Sequence, residues 1–298
     1  MAEWDAEIVV GPELALELIR GQFAGIGTTV EPFGSGWDNT AYLVDGELVF
    51  RFPRREIAVR LLETEIRVLP RLAPHLPLPI PVPEWAGEAT ERFPWPFAGY
   101  RMLPGRPAAY VDLSLMDVRA AAVSLGEFLR ALHSIPLDGL ALPEDEHRRT
   151  DFTIRLPKLG ASVGALEDAG IIADGLPWLM PFTGDFPAPS PRAVPVHGDL
   201  YEMHVLFDDH HRASGVIDWG DVHAGDPALD LSLVYRLFPP RFRAEFLSVY
   251  GGIDARTERM ARLRATFHAV MVTHYAHSVG NTALLRTARA AMDQVLEE

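Results

Sequence analysis

The sequence predicts an α+β fold of two lobes, an N-terminal antiparallel sheet with one helix followed by a larger, mainly helical C-terminal lobe. Three observations carry this expectation. Short β-rich runs separated by tight-turn residues crowd the first hundred positions. Capped, apolar-striped segments dominate after Pro104-Gly105. Among the later segments, one short hairpin near 205–217 gathers acidic and imidazole side chains. The boundary falls between 103 and 104, giving lobes 1–103 and 104–298.

Taken in order, Val30 to Phe33 opens a strand and Gly34-Ser35-Gly36-Trp37-Asp38-Asn39 forms a turn. Thr40 to Val44 is a second strand, Asp45-Gly46 a hairpin turn, and Glu47 to Phe52 a third strand ended by Pro53. Ile57 to Leu72 has helical spacing, with Leu61, Leu62, Leu69 and Leu72 on one stripe. Pro74, Pro77, Pro79, Pro81 and Pro83 then impose an extended, stiff edge segment. Phe97 to Leu103 reads as a strand. Ser114 and Asp117 are spaced as a capping box for a helix through Leu132. Residues 134–195, rich in Pro, Gly and Asp, give no readable pattern. Two helices close the chain, one from about Arg256 to His277 and one after the Asn281/Thr282 cap. Trp37, Trp85, Trp95 and Trp178 are expected as packing residues.

The 298 residues carry 27 Lys+Arg against 41 Asp+Glu, a formal net charge of −14. Such a surface repels nucleic acid and anionic membranes, so neither is expected as a partner. A phosphate site would need its own local positive charge, from a metal ion, arginine or helix ends. The absence of cysteine excludes disulfides and thiolate chemistry. No run approaches the ~20 apolar residues of a membrane span, and no basic-then-apolar leader is evident. A cytoplasmic location is the expectation.

The most informative stretch runs from Val196-His197-Gly198-Asp199 through His204 to Phe207-Asp208, followed by Gly215-Val216-Ile217-Asp218-Trp219. Read as an antiparallel hairpin, it brings the start of one strand beside the end of the other, so Asp199 and His204 approach Asp218. Tyr201, Glu202 and Asp221 are candidate substrate contacts by proximity in sequence. Farther upstream, Glu65 lies three residues after Leu62 and four before Leu69, on the buried stripe of its helix. A core-facing carboxylate is costly unless paired, and Arg51, charged in any environment, is the candidate partner. Glu63 points to solvent.

These residues carry a resemblance to the aminoglycoside and macrolide phosphotransferase family, whose members share the fold of protein kinases. His197-Gly198-Asp199, then His204 where most members have Asn, then Ile217-Asp218-Trp219 match its catalytic block, which continues through Gly225-Asp226-Pro227-Ala228-Leu229-Asp230-Leu231. The resemblance implies a bilobal, protein-kinase-like fold with a nucleotide-binding N-terminal lobe and a catalytic, substrate-binding C-terminal lobe. It implies transfer of the γ-phosphate of a magnesium nucleotide, ATP or GTP, to a hydroxyl of a small molecule. Asp199 takes the place of the catalytic carboxylate, Asp218 that of the magnesium ligand, and His204 that of a second ligand. Asp226 and Asp230 take structural positions. Gly34, Ser35 and Gly36 correspond to a phosphate-covering turn, Arg51 and Glu65 to the lysine–glutamate pair, and Arg101 and Met102 to the purine-binding hinge. Val49-Phe50-Arg51-Phe52-Pro53 is similar to a pattern in the aminoglycoside 2''-phosphotransferases, some of which use GTP.

Aminoglycosides, whose ammonium groups suit the acidic balance, and macrolides are candidate acceptors, with antibiotic resistance as the implied role; a metabolite alcohol is equally compatible. Two alternatives stand beside this reading. Arg51 and His204 replace expected residues, as they would in an inactive nucleotide-binding homologue. His197, Asp199, His204, Asp218 and His223 could instead serve a metal-dependent hydrolase.

Overall fold

A computed structural model describes residues 6–111 and 117–297. The chain divides into two compact units. One holds the segments up to His75, Pro79–Leu103 and Asp218–Asp221; the other holds Leu76–Leu78, Pro104–Ile217 and the segment from Val222 onward.

The first unit contains α1 (Pro12–Gln22), β1 (Val30–Ser35), β2 (Asn39–Val44), β3 (Leu48–Pro53), α2 (Glu56–Leu72), β4 (Pro83–Gly87) and β5 (Phe97–Arg101). The strands form one antiparallel sheet in the order β1-β2-β3-β5-β4. The β2–β3 turn works as its sequence predicts: Asp45 and Gly46 both adopt positive φ, 53° and 74°. That pair matches the right-handed twist of the flanking strands. The Asp45 carboxylate also accepts the N–H groups of Gly27 and Thr29 at 2.9 and 2.8 Å. The proline-rich segment does supply an edge strand, β4, where a missing N–H is tolerated.

One helix was expected in this unit, and two are present. Pro12 stands at the first helical position of α1, and Ala15, Leu18 and Ile19 are buried. Eleven residues with Gly11 before them and Gly21 inside give too short and interrupted a stripe to register by periodicity. Aromatic rings fill the space beneath the sheet; Phe52 and Phe97 stack at 4.8 Å between centroids. Trp37 departs from the packing role expected of it, being 49% exposed.

The second unit contains β6 (Arg106–Pro107), α3 (Val118–Ser134), α4 (Phe152–Asp168), α5 (Leu176–Leu179), β7 (Val194–Val196), β8 (Val205–Phe207), β9 (Ala213–Val216) and β10 (His223–Gly225). Four helices follow: α6 (Ala228–Leu237), α7 (Pro240–Tyr250), α8 (Ala255–Ser278) and α9 (Thr282–Leu296). The predicted hairpin is β8–β9, with Val205 opposite Val216. The capping box is not as expected. Asp117 is itself the N-cap of α3, accepting from Ala120 N at 3.0 Å, and Ser114 lies outside the described residues. In the unreadable stretch, α4 carries Pro157 in its interior and a weak apolar stripe, which is why it escaped the pattern. Every residue of α6 is buried, so it shows no amphipathic period.

Close packing in the sheet yields a test. A Cβ added at Gly99 would lie 2.5 Å from the Phe50 ring, which is itself locked among Phe23, Trp85 and Phe97. Gly99→Ala should destabilise the protein by about 2 kcal/mol, read as a lower denaturant midpoint at unchanged slope.

Candidate functional site

In the second unit, the loop 197–204 is set by a buried carboxylate on α6. Asp230 Oδ2 accepts the N–H of His197 at 2.8 Å and Oδ1 accepts that of Gly198 at 3.0 Å. His133 Nε2 donates to Oδ2 at 3.1 Å, its Nδ1 being occupied by the Tyr250 hydroxyl. Burial alone would raise the Asp230 pKa, but these donors and the neighbouring imidazoles lower it below the ordinary carboxylate value. His197 is buried and donates from Nε2 to the carbonyl of Ile217 at 2.9 Å. Desolvation and the nearby His204 lower its pKa, so it is neutral.

Asp199 projects from this loop with its side chain 31% exposed. Its Oδ1 accepts from His268 Nε2 at 3.2 Å and faces Arg264 Nη2 at 3.6 Å. Burial pushes the carboxyl up, yet the His268 hydrogen bond and the charges of His204 and Arg264 hold it well below the usual range. Asp199 is therefore an ionised carboxylate held by one oxygen. His268 is pushed down to about 3, chiefly by burial and then by Arg236. His204 donates from Nδ1 to the Asp199 carbonyl at 2.8 Å. Glu202 does not fit the role of substrate contact: it is buried and paired with Arg236 at 3.1 Å.

In the first unit, Arg51 on β3 forks between two carboxylates. Its Nη1 bonds both Glu65 oxygens, at 3.1 and 2.9 Å, and its Nη2 bonds Asp218 Oδ1 at 3.0 Å. The Arg51–Glu65 pair expected from helical spacing is thus present, and Glu63 is exposed. Burial works against the Arg51 charge, but Glu65 and Asp218 outweigh it and raise the pKa. Glu65 is fully buried; desolvation raises its pKa against the pull of Arg51, and the Tyr100 hydroxyl donates to it at 3.2 Å. Asp218 is half-exposed and has φ +65°, a left-handed conformation that Asp tolerates better than most residues.

Gly34 and Ser35 end β1, and Gly36 N bonds Asn39 O across the turn at 3.0 Å. A Cβ at Gly34 or Gly36 would meet nothing within 4 Å, so their lack of a side chain is not an internal packing requirement. Arg101 bonds Glu84 at 3.1 Å and lies over the Trp85 ring. Met102 gives its N–H to Glu47 O at 2.9 Å, so its amide is committed while its side chain is exposed.

The sequence profile of the phosphotransferase enzyme family matches residues 29–276. The chain belongs to that family. It is 29% identical over 227 residues to the uncharacterized protein YcbJ of Bacillus subtilis, covering 70% of this chain and 69% of that protein. It is 28% identical over 217 residues to the viomycin phosphotransferase of Streptomyces vinaceus, covering 68% and 71%. The fold matches the GDP complex of aminoglycoside 2'-phosphotransferase-IIIa with a TM-score of 0.68 at 22% identity, over 96% of this chain and 99% of that one. It also matches the macrolide 2'-phosphotransferase MphH of Brachybacterium faecium, TM-score 0.63 at 25% identity, over 94% and 98%. The fold is the bilobal, protein-kinase-like one. The hydrolase alternative finds no cage: His197 spends Nε2 on Ile217, and among the described residues no three His, Asp or Glu side chains gather to hold a metal.

Sequence reasoning missed Arg236, Arg264 and His268. They lie 37 to 69 residues beyond Asp199 on helices whose register in space no local pattern reveals; the Arg264/His268 spacing of four on α8 was the one available signal.

Two tests follow from this geometry. Arg51→Met strands the buried Glu65 charge and should cost about 3 kcal/mol, most of it recovered in Arg51→Met/Glu65→Leu, measured by urea denaturation. The second concerns pH. Native His268 titrates at about 3 and an unfolded histidine near 6.5, so between those limits only the unfolded chain takes up the proton. The stability due to this group is full above roughly pH 6.5 and is lost as pH falls toward the native value. Asp199, held low, adds loss of the same sign in stronger acid. Wild type should therefore lose stability between about pH 7.5 and 5, and His268→Gln should lose less over the same interval.

Proposed function

We propose that this protein transfers the terminal phosphate of ATP or GTP to a hydroxyl of a small molecule, with Asp199 as the catalytic carboxylate. The observation that carries the reading is the state of Asp199: ionised, with His268 and Arg264 both on Oδ1 and no partner on Oδ2 among the described residues. Oδ2 can accept a hydrogen bond from the acceptor hydroxyl and orient its lone pair toward the phosphorus. As the new oxygen–phosphorus bond forms, the bond to the leaving nucleoside diphosphate breaks and the hydroxyl proton passes to Asp199.

Arg51 supplies a fixed cation for the phosphates, held in place by Glu65. Gly34, Ser35 and Gly36 offer backbone N–H groups on a turn free of crowding side chains. In the first unit Asp218, a hard carboxylate oxygen donor, fits magnesium, whereas the imidazole of His204 in the second unit is the softer donor type. Magnesium held by Asp218 would neutralise charge on the phosphates. Arg101 and Met102 remain the proposed hinge, through carbonyl and side-chain contact. A cytoplasmic location, where nucleoside triphosphates are supplied, belongs to the same reading.

The acceptor side bears on substrate class. The charges of Arg149, Arg155 and Arg236 act on Arg264, whose pKa, lowered most by burial, is brought down to about 10. Two of these guanidinium groups have carboxylate partners of their own, Arg149 with Asp145 at 2.8 Å and Arg236 with Glu202 at 3.1 Å. An aminoglycoside, a macrolide and a metabolite alcohol all remain acceptors of the proposed class, the net charge of −14 suiting the first.

The test is incubation of the full chain with magnesium and ATP or GTP against viomycin, kanamycin, a macrolide and a panel of small alcohols. A phosphate adduct detected by mass spectrometry on a panel compound is the expected result, and Asp199→Asn should slow its formation on the order of 10³-fold. Equal background rates in wild type and Asp199→Asn would mean a nucleotide-binding protein without turnover.

A further inference from the structure

The geometry points to His268 as a positioning residue for Asp199, locked in one tautomer by Arg236, with Arg264 as a second hold on the same carboxylate oxygen. The inference rests on the catalytic role of Asp199 proposed above and assigns the machinery that aims it.

The lock follows from donor and acceptor counting. Arg236 Nη1 lies 3.1 Å from His268 Nδ1, and a guanidinium can only donate. Nδ1 must therefore present its lone pair, and the single ring proton sits on Nε2. From there it is donated to Asp199 Oδ1, 3.2 Å away. A protonated imidazole would place two N–H groups nose to nose at the Arg236 contact, so the ring stays neutral and singly oriented. The alternative neutral tautomer fails at both ends, facing a donor with a donor and an anion with a lone pair.

The lock is itself anchored. Arg236 is buried, and its charge is balanced by Glu202 at 3.1 Å while Nη2 donates to the Leu200 carbonyl at 2.6 Å. Leu200 and Glu202 belong to the loop that bears Asp199, so the loop braces the arginine that orients the ring that holds the loop's own carboxylate. Tyr201 packs against His268 with ring centroids 5.0 Å apart, which confines the imidazole plane. Arg264 and His268, one turn apart on α8, are both buried and both address Oδ1. Fixing Oδ1 from two directions fixes the carboxylate rotamer and turns Oδ2 outward for the acceptor hydroxyl. Among the described residues, Asp199, Arg236 and Arg264 act on the ring electrostatically and Tyr201 packs on it, with Glu202 behind Arg236.

Two readouts test this in the full-length protein. In nitrogen-15 histidine NMR, with His268 assigned by its loss in His268→Gln, wild type should show a neutral ring protonated at Nε2 from roughly pH 5.5 to 8. Arg236→Met should release the lock, so that His268 titrates within that range. In kinetics with magnesium nucleotide and whichever panel compound accepts phosphate, or water where none does, folded His268→Leu should lose on the order of 10²-fold in kcat. Its KM for nucleotide should move less than about twofold, and His268→Gln, which keeps a side-chain N–H, should recover most of the loss. A wild-type ring protonated at Nδ1, or doubly protonated, overturns the lock. Wild-type kcat in folded His268→Leu overturns the positioning role. If wild type transfers phosphate to nothing, water included, the functional reading has failed, and the NMR result alone decides for or against the lock.

Discussion

The site depends on one buried carboxylate. Asp230 is fully enclosed, and an enclosed carboxylate is tolerated only when its lone pairs are filled. Two successive backbone amides, those of His197 and Gly198, turn their N–H groups toward it, and Gly198 can make that turn because it adopts φ +87°. The arrangement is a small anion nest occupied by the protein's own side chain. Asp230 also stands in the first turn of α6, where the exposed amide ends of a helix favour negative charge. Loop and helix are thereby fixed to each other, and Asp199 follows one residue after the second of the two amides. Its direction is determined before any ligand arrives.

The second theme is where an acidic chain keeps its cations. Arginines converge on two of the carboxylates that chemistry would use, and at each the geometry requires arginine. Arg51 serves Glu65 with one terminal nitrogen and Asp218 with the other. A lysine ammonium is a point charge on a flexible stem, whereas the planar guanidinium fork holds both carboxylates in one fixed relation. The arginine at the place where the resemblance leads one to expect lysine thus corresponds to a change of geometry. At Asp199 the same chemistry recurs through Arg236, which acts at one remove by determining which nitrogen of His268 carries the proton.

How much of this could be read from the sequence varied with the range of the interaction. The Asp45-Gly46 hairpin, the buried placement of Glu65 and the β8–β9 pairing are consequences of spacing along one element or two adjacent ones, and they were legible. The structural place of Asp230 came from the family resemblance and not from spacing. Five helices were not legible. α1 is short and interrupted by glycine, α4 contains proline, α5 is only four residues long, α6 is buried on all sides, and α7 has an N-terminus marked only by the Pro239-Pro240 pair. The most consequential omissions were Arg264 and His268. Their meaning comes from α8 packing against α6, a contact between segments far apart in the chain that leaves no periodic trace.

The backbone at Asp218 ties these threads together. A non-glycine residue at φ +65° carries strain of about 1–3 kcal/mol, which persists only where the surroundings over-determine it. The residue before it shows how. The N–H of Ile217 is bonded to the His204 carbonyl and its own carbonyl accepts from His197 Nε2, both at 2.9 Å. Both polar groups of Ile217 are thus committed to the loop that Asp230 holds, and the strand cannot relax by rotating there. The reversal of direction is forced onto the next residue, where the side chain is a carboxylate that the left-handed conformation presents to Arg51. An ordinary turn would place glycine or asparagine at such a position. Aspartate there accepts backbone strain in return for a charge at a fixed point, and that exchange makes sense only if the charge has a cation to meet.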